Sequence, residues 1–420
     1  LKRSDHTLTV RADIPAYGGY SIARDRGSVL FVSGSIPGET VEVRIDEQKK
    51  DYAFATAVKI IRPSPDRISP DCEVFGVCGG CSLQHVSYQR QISLKEEILL
   101  DSLRRIAKTD IQLASSLTDA NPWHYRHRAQ FKLDKQEIGF YKGKSRDVVD
   151  IRHCPLMIKE INDLFGKTSY LIKSSGRLFD CISEIHITHG NTGIGLLKVS
   201  EKSPARPDLP AIASTLLSAG YAGVCVETAG GKPIWFGEHR TFFELEGLKY
   251  AVSPQCFIQN HWRLNRVVVD LLRKHIRPLR PKRIVDLYSG AGNFSLPLSM
   301  DAEEIIAVED CRQAIEDGKL NARLNSINNC RFLKLPVERF DIDRADVLIV
   351  DPPRPGLTNT VLNKILALNP ERIVYVSCNP STFARDLKKM HVNYELESIR
   401  LIDFFPQTYH IESIAFMKRR

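Results

Sequence analysis

The sequence predicts an α/β chain in three parts: a small N-terminal OB-like β-barrel, an α+β middle domain, and a C-terminal Rossmann-like sheet, mostly parallel, whose last strand runs antiparallel. Three observations carry that reading. The chain has 420 residues, more than one ordinary core holds. Strand-like and helical runs alternate regularly only after about Ala251. Short β-rich runs separated by glycine and proline turns crowd the N-terminal end.

Taken in order, Leu30-Phe31-Val32 and Val41-Glu42-Val43-Arg44-Ile45 are strand-like, and Gly18-Gly19 and Pro37-Gly38 mark turns between strands. Residues 1–62 therefore form the barrel, a fold that often docks nucleic acid. Ile61 to Pro70, with its prolines, is a linker. Residues 63–88 and 118–250 are assigned to the middle domain, which includes a cysteine-rich segment from Asp71 to Tyr88. Residues 89–117 form a helical segment, because Ile92, Ile98, Leu99 and Leu103 fall on one helical face. Residues 251–420 hold strands at 283–287, 305–308, 347–350 and 373–376, alternating with helices at 294–299, 311–324, 361–368 and 382–390. Runs 396–402 and 410–417 follow with no long helix between them, as an antiparallel pair requires.

Composition narrows the function classes. Hydrophobic residues make up 43% and charged residues 26%, as in soluble globular proteins, and no apolar run approaches the roughly 20 residues of a membrane span. The start of the sequence lacks a secretory leader, so a cytoplasmic monomer is expected. An excess of 59 Lys and Arg over 50 Asp and Glu gives +9, which a polyanion partner or plain solubility would equally explain.

Asp286-Leu287-Tyr288-Ser289-Gly290-Ala291-Gly292-Asn293-Phe294 sets a Gly-x-Gly turn between a strand and a helix, where backbone approaches a ligand closely. Glu309 ends the next strand, from which an acidic side chain accepts both ribose hydroxyls of an adenosine ligand. The third glycine of a dinucleotide fingerprint is Ser295 here, which disfavours NAD. Leading with Asp286 suits a ligand carrying an ammonium group, as S-adenosyl-L-methionine does.

Asp351-Pro352-Pro353-Arg354 and Ser377-Cys378-Asn379-Pro380 follow successive strands and so share the ligand-binding edge of the sheet. Carbon 5 of uracil is a poor nucleophile. A thiolate added to carbon 6 turns the ring into an enolate whose carbon 5 can take a sulfonium methyl group. A base must then remove the carbon 5 proton before the thiolate leaves. Cys378 is the candidate nucleophile and Glu412 the candidate base; the bland alternatives are a buried filler cysteine and a glutamate paired with a surface cation. Methylation of an exocyclic amine would place an aromatic residue after Asp-Pro-Pro, where this chain has Arg354.

Cys72, Cys78 and Cys81, with a distant Cys154 followed by proline, supply four thiolates. Zinc and an iron-sulfur cluster both fit four cysteines, and the three-plus-one spacing favours a [4Fe-4S] cluster. Cys181, Cys225, Cys256, Cys311 and Cys330 are expected to fill the core.

These motifs, with Phe257-Ile258-Gln259 and His410-Ile411-Glu412, make the chain resemble bacterial RNA uracil-5 methyltransferases, of the type with a TRAM domain and an iron-sulfur cluster that acts on 23S ribosomal RNA. The resemblance covers nearly the whole chain. It implies that Gln259, Tyr288, Asn293, Glu309 and Asp351 line the S-adenosylmethionine site, that Cys378 is the nucleophile and Glu412 the base, and that the helix near 89–107 packs on the catalytic domain. Two positions depart from the family pattern, His261 in place of Asn, with Asn265 retained further on, and Pro336; both bear on cofactor contacts. A flipped base needs aromatic and Arg partners, and Tyr125, Arg126 and Arg128 in Trp123-His124-Tyr125-Arg126-His127-Arg128 are the candidates. Transfer RNA as substrate, and a non-catalytic RNA-binding or ribosome-assembly factor, remain as alternatives.

Overall fold

A computed structural model describes residues 7–201 and 207–420. The N-terminal strands β1 (Thr7–Ala16), β2 (Tyr20–Asp25), β3 (Ser28–Ser33), β4 (Thr40–Gln48) and β5 (Tyr52–Arg62) close into a barrel in the order β1-β2-β3-β5-β4. Alternation directs small residues inward, among them Ala23, Leu30, Val32, Val41, Ala53 and Ala55. The following linker is pinned: Arg67 donates to both carboxylate oxygens of buried Glu39, at 2.6 and 2.7 Å.

Helix α1 (Tyr88–Ser102) runs on through one π-helical turn, Leu103–Ala107. Next come β6 (Arg128–Asp134), β7 (Glu137–Tyr141), β8 (Val148–Asp150), α2 (Lys159–Ser174), β9 (Ile182–His189), β10 (Gly193–Val199), α3 (Leu209–Ser218), β11 (Gly223–Glu227) and β12 (Ile234–Gly237). Their sheet, ordered β12-β11-β10-β9-β6-β7-β8, is antiparallel apart from the β10–β11 pair, and residues of α2 and α3 share one core with it.

The hairpin β13 (Thr241–Leu245) and β14 (Leu248–Val252) leads to α4 (Trp262–Ile276), β15 (Arg283–Leu287), α5 (Ser295–Leu298), β16 (Glu304–Glu309), α6 (Arg312–Leu324) and β17 (Cys330–Lys334). The chain continues through β18 (Val347–Val350), α7 (Asn359–Leu368), β19 (Arg372–Ser377), α8 (Pro380–Met390), β20 (Tyr394–Ile402) and β21 (Glu412–Arg419). The sheet order is β17-β16-β15-β18-β19-β21-β20, parallel from β17 to β19, with β21 antiparallel to both neighbours. Helix α4 and strand β17 add to the elements expected from sequence. One face of the sheet packs on α4, α5 and α6. The other packs on α7, α8 and, from before the middle domain, Leu99, Leu103 and Ala107. No helix among the described residues is long and apolar enough to cross a membrane.

Candidate active site

The strand order reverses between β15 and β18, so the loops leaving their carboxyl ends diverge and open a crevice. Tyr288 leaves β15 in the left-handed region at φ +64°, followed by Gly290 at +55° and Gly292 at +90°. Gly292 has no room for a side chain: a Cβ would stand 2.8 Å from Leu296 and 2.9 Å from Phe332. The turn faces a cavity lined by Gln259, Tyr288, Asn293 and Asp351, together with Phe257 and Ser289. Asn265 donates to the Asn293 amide oxygen at 2.7 Å and accepts from its amide nitrogen at 3.1 Å, which fixes that side chain.

Two acids sit differently from the sequence reading. Glu309 accepts the Gly290 and Cys311 backbone N–H groups at 3.0 and 2.8 Å, so it holds the turn from outside the cavity lining. Its carboxylate retains lone pairs for a further donor. Asp286 is fully buried beneath the turn and accepts from the Ser295 hydroxyl. The acid facing the cavity is Asp351, whose pKa burial pushes up to about 7.

Strand register brings the candidate pair Cys378 and Glu412 into one neighbourhood. β19 and β21 pair antiparallel from Arg372↔Lys418 to Ser377↔Ser413, so Cys378 and Glu412 each adjoin the last pair of the ladder. Residues facing across an antiparallel pair lie about 4.5–5.5 Å apart at Cα, so Ser377↔Ser413 holds the segments that carry Cys378 and Glu412 close together. Cys378 is half-buried. Burial pushes its thiol up to about 12, the Glu412 and Asp351 carboxylates push the same way, and the Arg354 guanidinium opposes them. Burial, with Asp351 adding, raises the Glu412 carboxyl well above the usual range, against Arg354 and Lys95. Cys378 also directly precedes the N-cap of α8, Asn379, whose side chain accepts the Ser381 N–H at 3.0 Å. A helix N-terminus favours a thiolate.

Sequence reasoning missed the clamp on the loop that delivers Glu412. In α1, Lys95 donates to Asp403 at 2.6 Å and to the Phe405 carbonyl at 3.0 Å; the pair's side chains are 2% and 0% exposed. Gln91 donates to the Gln407 side chain at 2.9 Å and accepts the Gln407 N–H at 3.0 Å. The available signal was two polar residues, four apart, on the same helical stretch as Ile92 and Leu99.

Cys72, Cys78, Cys81 and Cys154 are free, half-buried, and line one cavity with Arg126 and His410. Burial pushes the Cys81 thiol up to about 12 and raises Cys78 and Cys154. The Arg126 Nε is buried there without a hydrogen-bond partner. Among the described residues, no three or more His, Cys, Asp or Glu are drawn together into a group that could hold a metal ion.

With the geometry in place, comparison with known proteins decides the family. The tRNA (Uracil-5-)-methyltransferase family matches residues 242–345 and 339–420, and the TRAM domain matches residues 7–58. An RNA methyltransferase of Aquifex aeolicus is 32% identical over 99% of this chain and 99% of its own. The 23S rRNA (uracil(1939)-C(5))-methyltransferase RlmD of Shewanella amazonensis is 32% identical over 95% of this chain and 93% of its own. The chain belongs to the RNA uracil-5 methyltransferase family. The crystal structure of Pyrococcus abyssi tRNA (uracil-54, C5)-methyltransferase, in complex with S-adenosyl-L-homocysteine, shares the fold of this methyltransferase. Its TM-score is 0.76 at 23% identity, covering 98% of this chain and 100% of that one.

Several sequence expectations for the methyltransferase change in the fold. Tyr125 is buried, stacks on His261 at 4.8 Å and donates to the Pro406 carbonyl at 3.1 Å, so it offers no ring to a nucleotide. Arg128 donates to the Pro254 carbonyl at 2.8 Å and to the Cys256 carbonyl, bracing the loop that carries Gln259. Arg126 lines both the cysteine cavity and the adjoining cleft beside Phe257. His261 lies outside the cofactor cavity and caps α4, accepting the Leu264 N–H at 3.3 Å, a task the usual Asn would also perform. Pro336 starts a single 3-10 turn, also away from that cavity. Cys311 is exposed, not core, because the N-cap of α6 faces solvent there.

Proposed function

We propose that this enzyme methylates carbon 5 of a uridine in RNA, with 23S ribosomal RNA as the substrate class, using Cys378 and Glu412. What supports the reading is the register of β19 and β21, whose last pair, Ser377↔Ser413, adjoins both Cys378 and Glu412 at the edge of the sheet where the crevice opens. S-adenosylmethionine, when bound, supplies an electrophilic methyl group. Gln259, Tyr288, Asn293 and Asp351 suit its binding because they share one cavity, and Glu309 suits the ribose from the turn.

Cys378 forms a bond from sulfur to uracil carbon 6, and its proton leaves to the solvent that reaches the half-buried thiol. Arg354 and the N-terminus of α8 lower the cost of the thiolate. After methylation Glu412 takes the carbon 5 proton, the C–H electron pair restores the 5,6 double bond, and the carbon–sulfur bond breaks. Glu412 acts in its carboxylate form, which the Arg354 guanidinium and the Lys95 ammonium favour against its burial.

The substrate class rests on relatives such as the Shewanella enzyme, whose name specifies 23S rRNA. Mass-spectrometric mapping of 5-methyluridine after incubation of purified 23S rRNA and tRNA with enzyme and methyl donor tests it. Label in 23S rRNA is expected; label in tRNA alone overturns the substrate class. Cys378→Ala should lower either yield by about ten-thousandfold or more.

Four cysteines lining one cavity are the donor set a [4Fe-4S] cluster needs, and the unpaired Arg126 Nε–H offers compensation for negative charge, although among the described residues those thiols are not drawn together as ligands. Bound there, the cluster supplies a cross-link between the Cys72–Cys81 loop and Cys154. Protein purified without oxygen should carry iron and sulfide in equal amounts, and Cys81→Ser should lose both; zinc in their place rejects the cluster. On this reading the chain divides into barrel (1–62), middle domain with the cysteine site (63–88 and 118–250), helical segment (89–117) and catalytic domain (251–420), except that the hairpin β13–β14 packs into the catalytic core through Phe243, Leu245 and Tyr250.

A further inference from the structure

Eleven non-glycine residues among those described have a positive φ, and Gln407 is the one that is buried; the others are exposed or half-buried. At φ +68° and 3% exposure it lies in the left-handed region, where a side chain crowds its own backbone and stays only if the surroundings fix it. Both polar backbone groups of Gln407, and its amide oxygen, are engaged. The N–H donates to the Gln91 side-chain oxygen at 3.0 Å, and the amide oxygen accepts from the Gln91 amide nitrogen at 2.9 Å. The carbonyl accepts two backbone N–H groups, from Ser82 at 3.1 Å and Leu83 at 3.0 Å. Gln91 also donates to the Leu83 carbonyl at 3.1 Å, so α1, the segment after Cys81 and the β20–β21 loop close into one ring at this residue.

The turn is carried forward to Glu412. Thr408 donates its hydroxyl to the Phe405 carbonyl at 2.9 Å and accepts the His410 N–H at 3.3 Å. Tyr409 meets the Tyr17 ring edge-on at 5.6 Å. Ile411 is buried against Ile92 and Leu401, and the next residue, Glu412, opens β21. Loops between strands ordinarily run exposed over the surface. This one is held at each step, and its most heavily bonded residue is the one least suited to its backbone conformation.

We propose that Gln407 is a positioning residue for the base: its left-handed backbone sets the direction in which residues 408–412 leave the loop, and so where the Glu412 carboxyl stands relative to uracil carbon 5. The proposal rests on the reading of Glu412 as the base. The amide pair with Gln91 holds the turn against its steric cost, and the Ser82 and Leu83 N–H groups fix its orientation. Glycine would adopt the same turn without crowding, but it would leave the Gln91 amide nitrogen with one acceptor fewer.

The test uses the full-length enzyme with RNA and methyl donor. Gln407→Ala and Gln407→Gly lose the same amide and keep the same backbone groups, so they differ in the ease of a left-handed backbone. Gln407→Ala should lower kcat by about a hundredfold and leave KM close to wild type. It should also accumulate the covalent protein–RNA species on a denaturing gel, because the thiol adds normally and the misplaced base then fails to release it. Gln407→Gly should stay within about tenfold of wild-type kcat and accumulate little adduct. Gln91→Met withdraws the same anchor from the helix side and should reproduce the alanine signature, which keeps the test decisive where Gln407→Ala does not fold. Wild-type kcat in Gln407→Ala overturns the proposal, as does equal loss in the alanine and glycine variants or a loss of kcat without adduct. Glu412→Gln, run alongside, separates the two readings: adduct there but none in Gln407→Ala faults the positioning alone, and adduct in neither faults the base and the positioning with it.

Discussion

The candidate pair Cys378 and Glu412 and the cysteine cavity that His410 lines are built by different means. Cys378 and Glu412 are brought together by a backbone ladder whose register is fixed before either side chain is considered. The four cysteines come from a loop and a distant His-Cys-Pro segment with no shared strand between them, and they line a cavity together with Arg126 and His410. A ladder preorganises its residues through hydrogen bonds made whether or not ligand is present. A site gathered from loops gains definition from what it binds. The first kind should therefore respond to substitution in its chemistry, and the second in its stability.

Glu412→Gln breaks the first half of that comparison most severely. Turnover should fall by about a hundredfold to ten-thousandfold. The enzyme should still add to the uracil, so a covalent protein–RNA species should persist on a denaturing gel, while the melting temperature stays near wild type. A variant that neither turns over nor accumulates adduct would remove Glu412 from the role of base.

Lys95→Met probes the element common to both sites. It leaves the Asp403 carboxylate buried without its cation and should cost about 3–5 kcal/mol of stability, read by chemical denaturation. The same loop carries His410 to the cysteine cavity and leads into Glu412, so iron content and turnover should fall together. Adding Asp403→Leu removes the stranded charge and should recover much of the stability. If turnover falls while iron content holds, the two sites are less joined than the clamp implies.

The catalytic half was legible because its pattern is local. Ile284-Val285, Val347 to Val350 and Ile373 to Val376 are apolar runs at strand spacing, and each is followed by its motif. The middle sheet was read only as α+β, since its strand order joins β6 to β9 across a helix and no local period encodes that pairing. Tyr125 and Arg128 show the same limit at single residues. Aromatic and basic side chains in a loop look ready for RNA until the packing of His261, Pro254 and Pro406 against them is known.

By itself the sequence determined the class of chemistry, because a thiol, a carboxyl and a glycine turn at strand ends are properties of residue type and spacing. Only the tertiary structure decided which acid lines the cavity beside the glycine turn, that α1 clamps the loop leading to Glu412, and that Tyr17 of the barrel packs on Tyr409. Those outcomes depend on contacts between segments far apart in the chain, which are settled by which packing buries the most apolar surface without stranding a charge.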